Sequence, residues 1–413
     1  MKVRSASIGL AVLVFSVTGA YAQSPDKVSN STGLELLEQA AVGLSESVGI
    51  SVEEAAEANE ESGVVGQFGE EFRGDPRFGA IWVTYEDGYK VHVRVTGPSA
   101  LPMRSEIEAL SRRLGRGVKT HTGGASSAQL WSFAKTVESS GNEVIFDLDF
   151  PNGRVVIYPG TKHSEVPADF PEEFLLYTEK PLEVAEPVLG RAGADLWYWN
   201  GLEWTVPCTA GYMWGGWGVT GFATAGHCPD ATSANPMSLT QSWDSFTTIW
   251  EACPAGGTDI QAHTFSVVRD PREQAENKGL APNWPIPIEA VAGGFHVNQT
   301  VFKGGRWSNP TSTSWGVVSG YGSITGSGAG TDCAGHGGTF QGLKTTALAN
   351  RGDSGGPILL LWGGLWYAGA MTSHRTSNGY ALGPFMNNVN PASLGWGPGA
   401  HWCVKNDPCG AYD

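Results

Sequence analysis

The chain has 413 residues, with 26 Lys and Arg against 41 Asp and Glu, a formal net charge of −15. That acidity argues against a nucleic-acid binder, which presents a basic face to phosphates. A hydrophobic content of 41% argues against wholesale disorder, and 57 Gly with 16 Trp at only 16% charged residues favours short strands and tight turns.

Residues 1–22 hold Lys2 and Arg4 but no acid, then an apolar run from Ile8 to Val17, then Ala20-Tyr21-Ala22. This pattern predicts a secretory signal peptide. The run falls short of the roughly 20 apolar residues that span a bilayer, so no membrane anchor is expected after its removal. Residues 23–190 carry 27 acids, 14 bases, two Trp and no Cys. Residues 191–413 carry 14 acids, 10 bases, 14 Trp and all six Cys. The shift predicts two folding units meeting near residue 190, and export makes disulfides plausible in the second.

The acidic half reads as α+β. Leu34 to Gly43 and Val52 to Glu71 have helical character, with Glu53, Glu54, Glu57, Glu60 and Glu61 on a solvated face. Ala80–Tyr85, Asp87-Gly88 and Tyr89–Val95 read as strand, turn and strand. Val144–Phe150, Pro151-Asn152-Gly153 and Arg154–Tyr158 repeat that pattern, with a helix expected over Ser105–Leu114 between the pairs. Two similar hairpin units follow. Residues 160–195, with Pro167, Pro171, Pro181 and Pro187 among acids, read as an extended, exposed and cuttable linker. The second half shows short apolar runs punctuated by Gly, such as Pro357–Trp362 and Leu365–Met371, which predicts an all-β sandwich or barrel.

Two stretches carry chemistry: Thr224-Ala225-Gly226-His227-Cys228 and Gly352-Asp353-Ser354-Gly355-Gly356-Pro357. Nucleophilic catalysis needs a hydroxyl, a base within hydrogen-bond reach and a group that orients the base. Glycines around Ser354 let backbone N–H groups turn inward, where they would stabilise an oxyanion.

These residues resemble the secreted bacterial chymotrypsin-fold serine endopeptidases of the streptogrisin and alpha-lytic kind. The first stretch matches that family's histidine motif and the second its nucleophile motif. Cys208-Thr209-Ala210-Gly211-Tyr212, leading to Gly221-Phe222-Ala223, matches the first strand pair. Gly49–Ala55 and Phe78–Val83 resemble the family's propeptide. The resemblance implies a catalytic domain over 191–413 made of two six-stranded antiparallel β-barrels, preceded by a removable folding and inhibitory propeptide over 23–190. It implies Ser354 as nucleophile, His227 as base, and the N–H groups of Gly352 and Ser354 as oxyanion hole. The orienting carboxylate lies among Asp230, Asp244, Asp259, Asp270 and Asp332. Asp259, in Gly256-Gly257-Thr258-Asp259-Ile260, resembles the family's short motif, and Asp244 is the alternative. Asp353 is expected to pair with a cation, Lys303, with Arg306 next. Cys208–Cys228 is the implied disulfide.

The departures also carry information. Phe302 and Trp315 stand where relatives often carry a disulfide, and Leu348 stands where relatives often place a Cys. Cys253, Cys333, Cys403 and Cys409 allow three pairings, and Cys253–Cys333 with Cys403–Cys409 is the one chosen. The specificity pocket is expected from Leu348, Ala349, Ser373 and Arg375, with Ser373 placed to pair its backbone with the substrate strand. Leu348 and Ala349 hint at an apolar substrate side chain, whereas His374 and Arg375 hint at an acidic one. No His-Glu-x-x-His run or paired CxxC occurs, so neither metal nor cofactor is called for. His263, His296, His336 and His401 read as loop or core histidines.

The expected partners are a peptide or protein substrate and the chain's own propeptide, with no nucleic acid, and a monomer is expected. An α/β-hydrolase elbow is disfavoured because the second half lacks strand–helix alternation. The alternative from another class is a non-catalytic secreted binding protein using Trp197, Tyr198, Trp199, Trp204, Trp214 and Trp217. Because acylation needs a neutral His227, activity is expected to fall in acid.

Overall fold

The protein is described here by a computed structural model. It describes residues 31–140, 144–187, 194–199, 202, 204–216, 219–229, 237–238, 246–252, 258–265, 288–304, 315–326, 339–350, 353–392, 394, 396 and 399–404. The signal segment lies outside them.

The acidic half begins with helices α1 (Ser31–Val48) and α2 (Val52–Phe72). Ser51 caps α2: its side chain accepts from the Glu54 N–H while the Glu54 carboxylate accepts from the Ser51 N–H. That reciprocal pair satisfies two otherwise orphaned donors. Strands β1 (Phe78–Thr84) and β2 (Lys90–Val95) form an antiparallel hairpin, then α3 (Arg104–Leu114) crosses to β3 (Val118–Thr122), which pairs parallel with β2. Helix α4 (Ser127–Ser140) follows, and the hairpin β4 (Phe146–Asp149) and β5 (Arg154–Ile157) pairs parallel with β6 (Leu175–Tyr177). Each unit is thus a helix, a hairpin and a parallel third strand.

Helix α4 was not expected from the sequence. Its signal is Ser126-Ser127-Ala128-Gln129, where Ser126 and Gln129 cap each other reciprocally at 2.8 and 3.1 Å. The linker also differs from expectation. Within it, β6 joins β5, and β7 (Val184–Pro187) pairs with strands of the second half. Proline-fixed extended backbone has strand geometry, so it can join a sheet edge where its missing donors face outward.

The second half is all-β among its described residues. Its first strand set is β8 (Ala194–Trp199), β9 (Trp204–Ala210), β10 (Met213–Gly216), β11 (Val219–Thr224), β13 (Phe246–Ala252) and β14 (Ile260–Phe265), with the short β12 (Met237–Ser238) beside β8. Its second set is β16 (Thr300–Lys303), β17 (Trp315–Gly326), β18 (Thr339–Leu348), β19 (Pro357–Trp362), β20 (Leu365–Met371) and β22 (Tyr380–Gly383), in the order β20-β19-β16-β17-β18-β22. All pairings within each set are antiparallel. The second set closes on itself where Ala370 bridges Phe385 and Ser373 N donates to Leu382 O at 2.8 Å. Three short strands complete the half: β15 (Ile288–Val291), β21 (His374–Arg375) and β23 (His401–Trp402). This is the all-β, two-times-six-strand class expected, preceded by an α+β half.

From Leu37 onward the chain forms one compact unit. Strand β4 pairs with β17 (Tyr321 opposite Leu148, Gly322 opposite Asp147), so the acidic half extends the β17–β18 sheet. A Cβ on Gly322 would lie 2.6 Å from Phe146 O, so only glycine admits the strand this closely. On the other face, Gly66 of α2 sits against Trp362, and the Trp362 indole donates to Gly63 O at 3.1 Å. The expected substitution of packing for a disulfide is visible at Phe302 and Trp315, opposite each other on β16 and β17 with ring centroids 4.9 Å apart. No helix among the described residues is long and apolar enough to cross a membrane.

Candidate active site

His227 lies in the turn after β11, and the disulfide Cys208–Cys228 ties that turn to β9. Asp259 immediately precedes β14, which pairs with β11 (Thr224 opposite Gln261). Ladder register therefore brings two residues 32 apart in sequence together: Asp259 Oδ2 lies 2.7 Å from His227 Nδ1, and Asp259 Oδ1 accepts from the His227 backbone N–H at 2.9 Å.

Ser354 sits in the turn before β19. Gly355 has φ +87, and a Cβ there would lie 2.1 Å from Thr209 O, so only glycine allows the turn. The turn is pinned by Thr209 N to Ser354 O and by Gly355 N to Thr372 O, each at 2.7 Å. Ser354 Oγ lies 2.7 Å from His227 Nε2 and 3.2 Å from Ser373 O.

The proton positions follow from the acceptors. A carboxylate only accepts, so His227 Nδ1 carries the hydrogen and Nε2 is left bare toward the Ser354 hydroxyl. Ser354 and Asp259 are fully buried, and His227 is 3% exposed. Burial pushes the Asp259 carboxyl up, but the His227 ring, its hydrogen bonds, His374 and Ser373 outweigh it and hold the group at about 2. A permanent anion thus orients the imidazole.

Two residues expected from the sequence at the specificity pocket, Ser373 and His374, stand instead beside Asp259 and His227. The Ser373 hydroxyl donates to Asp259 Oδ2, and His374 packs edge-on against His227 with centroids 5.4 Å apart. No periodicity or motif marks His374; only the β20–β22 geometry brings it there. The donor atoms of His227, Asp259 and His374 lie within 4.8 Å of one another, a spacing open to a metal ion, but those on Asp259 and both rings are already engaged in hydrogen bonds.

Asp353 and Lys303 are both buried and form an ion pair, and Asn350 N also donates to Asp353 Oδ2 at 2.8 Å. Burial pushes the Lys303 ammonium down, and Asp353 pulls it back up. Of the expected pocket residues, Ala349 is buried with its N–H on Gly379 O, and Leu348 lies opposite Tyr380. The Ser373 side chain turns to Asp259 rather than toward a pocket. Arg375 lies opposite Glu186 of β7, and His374 opposite Pro187.

Gly352, Arg306 and the carboxylate alternatives Asp230, Asp244, Asp270 and Asp332 lie outside the described residues, as do Cys253, Cys333 and Cys409. Cys403 is disulfide-bonded. Trp214 is fully buried and packs on Trp396, as a core residue does. The partly buried Tyr198 packs against the core around Cys208. The side chains of Trp197, Trp199, Trp204 and Trp217 are outside the description. His263 and His296 are buried, and the His401 ring lies 2.9 Å from Gly399 O; His336 is not described.

Among solved structures, the chain is similar to Thermobifida fusca Protease A, at 22% identity over 51% of this chain and 97% of that one, with a TM-score of 0.33. It is also similar to an alpha-lytic protease homolog, N4, at 15% identity over 50% and 97%, with a TM-score of 0.34. The active form of the Rv3671c protease from M. tuberculosis matches at 14% identity over 56% and 96%, with a TM-score of 0.30. No protein-family model matches the chain, and no curated protein does. With likenesses this distant, the functional reading rests on side-chain geometry.

Proposed function

We propose that the chain is a secreted serine endopeptidase made as a precursor, with residues 1–22 as signal peptide, 23–190 as propeptide and 191–413 as catalytic domain. The observation that carries this reading is the buried chain Ser354 Oγ, His227, Asp259, with both contacts at 2.7 Å. Ser354 attacks the scissile carbonyl as His227 Nε2 takes its proton. The acyl-enzyme forms as the imidazolium gives that proton to the leaving amine, and a water repeats the sequence to release the acid. Asp259 holds the tautomer and faces the positive charge that develops. The N–H groups of Gly352 and Ser354 are the proposed oxyanion donors.

The inhibitory role of the first half is supported by β7, which lies antiparallel on His374–Arg375, the residues directly after Ser373, whose carbonyl accepts from Ser354 Oγ at 3.2 Å. An extended segment bound there by main-chain pairing occupies the path that a substrate strand would take. No cofactor is needed for this chemistry, and the partners are a peptide substrate and the chain's own first half.

The test is the intact mass of the protein recovered from the culture medium, wild type beside Ser354→Ala. The expected result is a wild-type fragment starting near residue 190 and a full-length variant. If both forms arrive full length and neither hydrolyses peptides, the reading fails and a permanent two-part binding protein takes its place. If both are trimmed alike, another protease processes the chain, and peptide hydrolysis that vanishes in Ser354→Ala then decides.

A further inference from the structure

Asp259 Oδ2 is approached from two sides. His227 Nδ1–H comes from one, and the Ser373 hydroxyl from the other. Ser373 Oγ in turn lies 2.5 Å from His374 Nδ1. A hydroxyl has a single proton to give. If Ser373 gave it to His374, an ionised and fully buried carboxylate oxygen would face a lone pair, the costliest arrangement available in a site without water. The proton therefore goes to Asp259, Ser373 Oγ accepts from His374, and His374 Nδ1 carries the hydrogen. His374 is 2% exposed, so water does not replace that donor.

We propose that His374 is a positioning residue: its Nδ1–H fixes the Ser373 hydroxyl on Asp259 and so extends the chain that aims His227 at Ser354. This deepens the peptidase reading and rests on it. The added donor matters for two reasons. A hydroxyl that accepts a hydrogen bond becomes a stronger donor, so the His374 contact tightens the Ser373–Asp259 bond. It also denies Ser373 its other staggered positions, leaving the carboxylate one orientation.

The ring is held independently of that bond. Phe340 of β18 packs on it at a centroid distance of 5.6 Å, and its backbone pairs with Leu382 of β22, with Pro187 of β7 on the other side while the first half is attached. The charged and titratable groups that face it among the described residues are Asp259, with Oδ2 at 3.6 Å, and His227. Phe340, Leu382 and Pro187 bring no charge, and Arg375 follows on the opposite side of the strand. Burial, then His227, push the His374 imidazole down, and Asp259 pulls it up, leaving it at about 4. It is thus a neutral donor through the pH range in which His227 works as a base.

The amide nitrogen of asparagine reaches the position of Nδ1, whereas that of glutamine reaches the position of Nε2. His374→Gln and His374→Asn therefore separate the donor from bulk and polarity. The assay is hydrolysis of fluorescent casein by the secreted protein, as kcat and KM across pH 5 to 9, with thermal melting of each variant beside it. His374→Gln is expected to lose about tenfold in kcat with KM within about twofold, because the base is less well aimed. Its acid limb is expected to move up by about half a pH unit, since a carboxylate with one donor fewer acts more strongly on His227. His374→Asn is expected to stay near wild type in both respects.

A His374→Gln profile that superimposes on wild type overturns the proposal. So does an Asn variant that fails as badly as Gln with no shift of the acid limb, which marks a packing role. Should Gln not fold, His374→Leu replaces it in the same comparison. Hydrolysis that survives Ser354→Ala overturns the peptidase reading itself, whatever the His374 variants do.

Discussion

The site around Ser354 and the face on which the acidic half docks differ in how deeply they bury charge. The site uses charge: Asp259 and the pair Lys303–Asp353 are buried and held by charged or hydrogen-bonding partners. The docking face combines neutral groups and close backbone approach with partly exposed ions: Lys344 pairs with Asp147, Arg73 donates to Gly293 O at 2.5 Å, and Tyr321 OH donates to Glu138 Oε1 at 2.6 Å. Gly63 meets Gly363, Gly66 meets Trp362, Asn298 Nδ2 donates to Val83 O at 2.7 Å, and Thr300 Oγ1 donates to Asn59 Oδ1 at 2.8 Å. A buried ion gives fixed orientation, at a large desolvation cost if its partner leaves. Neutral groups and partly exposed ions can part without stranding a fully buried charge. The comparison teaches that the two halves are joined by shape and partly exposed charge, whereas the site around Ser354 is held by fully buried charge.

The largest break falls on the charged side. Asp259→Asn should lower kcat for peptide hydrolysis by roughly 10⁴-fold, because an amide in that place favours the wrong imidazole tautomer. A loss under tenfold, measured with the fold intact by circular dichroism, would remove Asp259 from the role given to it. Lys303→Met leaves Asp353 buried without its cation. It should cost about 3–5 kcal/mol of stability and much of the activity, read by denaturant unfolding and casein hydrolysis together. An unchanged midpoint and rate would show that the pair holds nothing in place.

Acid should weaken the second half early. Burial pushes His263 down to about 3, and burial pushes His296 down to about 4 against a raising contact with Val297 O. An unfolded imidazole titrates near 6.5, so the unfolded chain takes up protons that the folded chain refuses. Stability is then complete above about pH 7 and falls as pH drops from 6.5 toward 4, by on the order of 3 kcal/mol per histidine. Asp259, held at about 2, adds a second loss between about pH 4 and 2. In the first half burial, with His121 and nearby lysines, brings His92 down to about 4, so both halves should loosen in the same window. Urea midpoints from pH 8 to 4 check this, and a flat profile above pH 5 would contradict it.

The smallest effect tests the docking face. A Cβ on Gly66 would lie 2.4 Å from the Trp362 ring, whereas a Cβ on Gly74 meets nothing within 4 Å. Gly66→Ala in the Ser354→Ala chain should cost about 1–3 kcal/mol through overpacking and expose the region near residue 190 to trypsin sooner. Gly74→Ala should stay within about 0.5 kcal/mol of its parent. Equal behaviour of the two would mean that the glycine contacts do not set the docking.

Much of the fold was legible because local rules govern it. Asp87-Gly88 and Pro151-Asn152-Gly153 announce the two hairpins, and the glutamates from Glu53 to Glu61 announce a solvated face of α2. The Ser126–Gln129 cap was equally local but went unread, as its helix has no strong charge stripe. For the site, His227 and Ser354 stand in distinctive motifs, while Asp259 was one of five carboxylates on sequence grounds. Its meeting with His227 depends on the register between β11 and β14, which no short motif encodes.

By itself, then, the sequence determined the division of composition near residue 190, the strand-rich second half and the residue types that give nucleophilic chemistry. Those depend on neighbours along the chain: alternation, turn residues and glycines next to a hydroxyl. Only the tertiary structure decided that Ser373 and His374 reach Asp259, that β7 lies on His374–Arg375, and that the two halves share one compact unit. The physical reason is that these are contacts between elements 32 to nearly 300 residues apart in sequence. Their geometry is set by strand register and close packing, and local propensity carries no information about either.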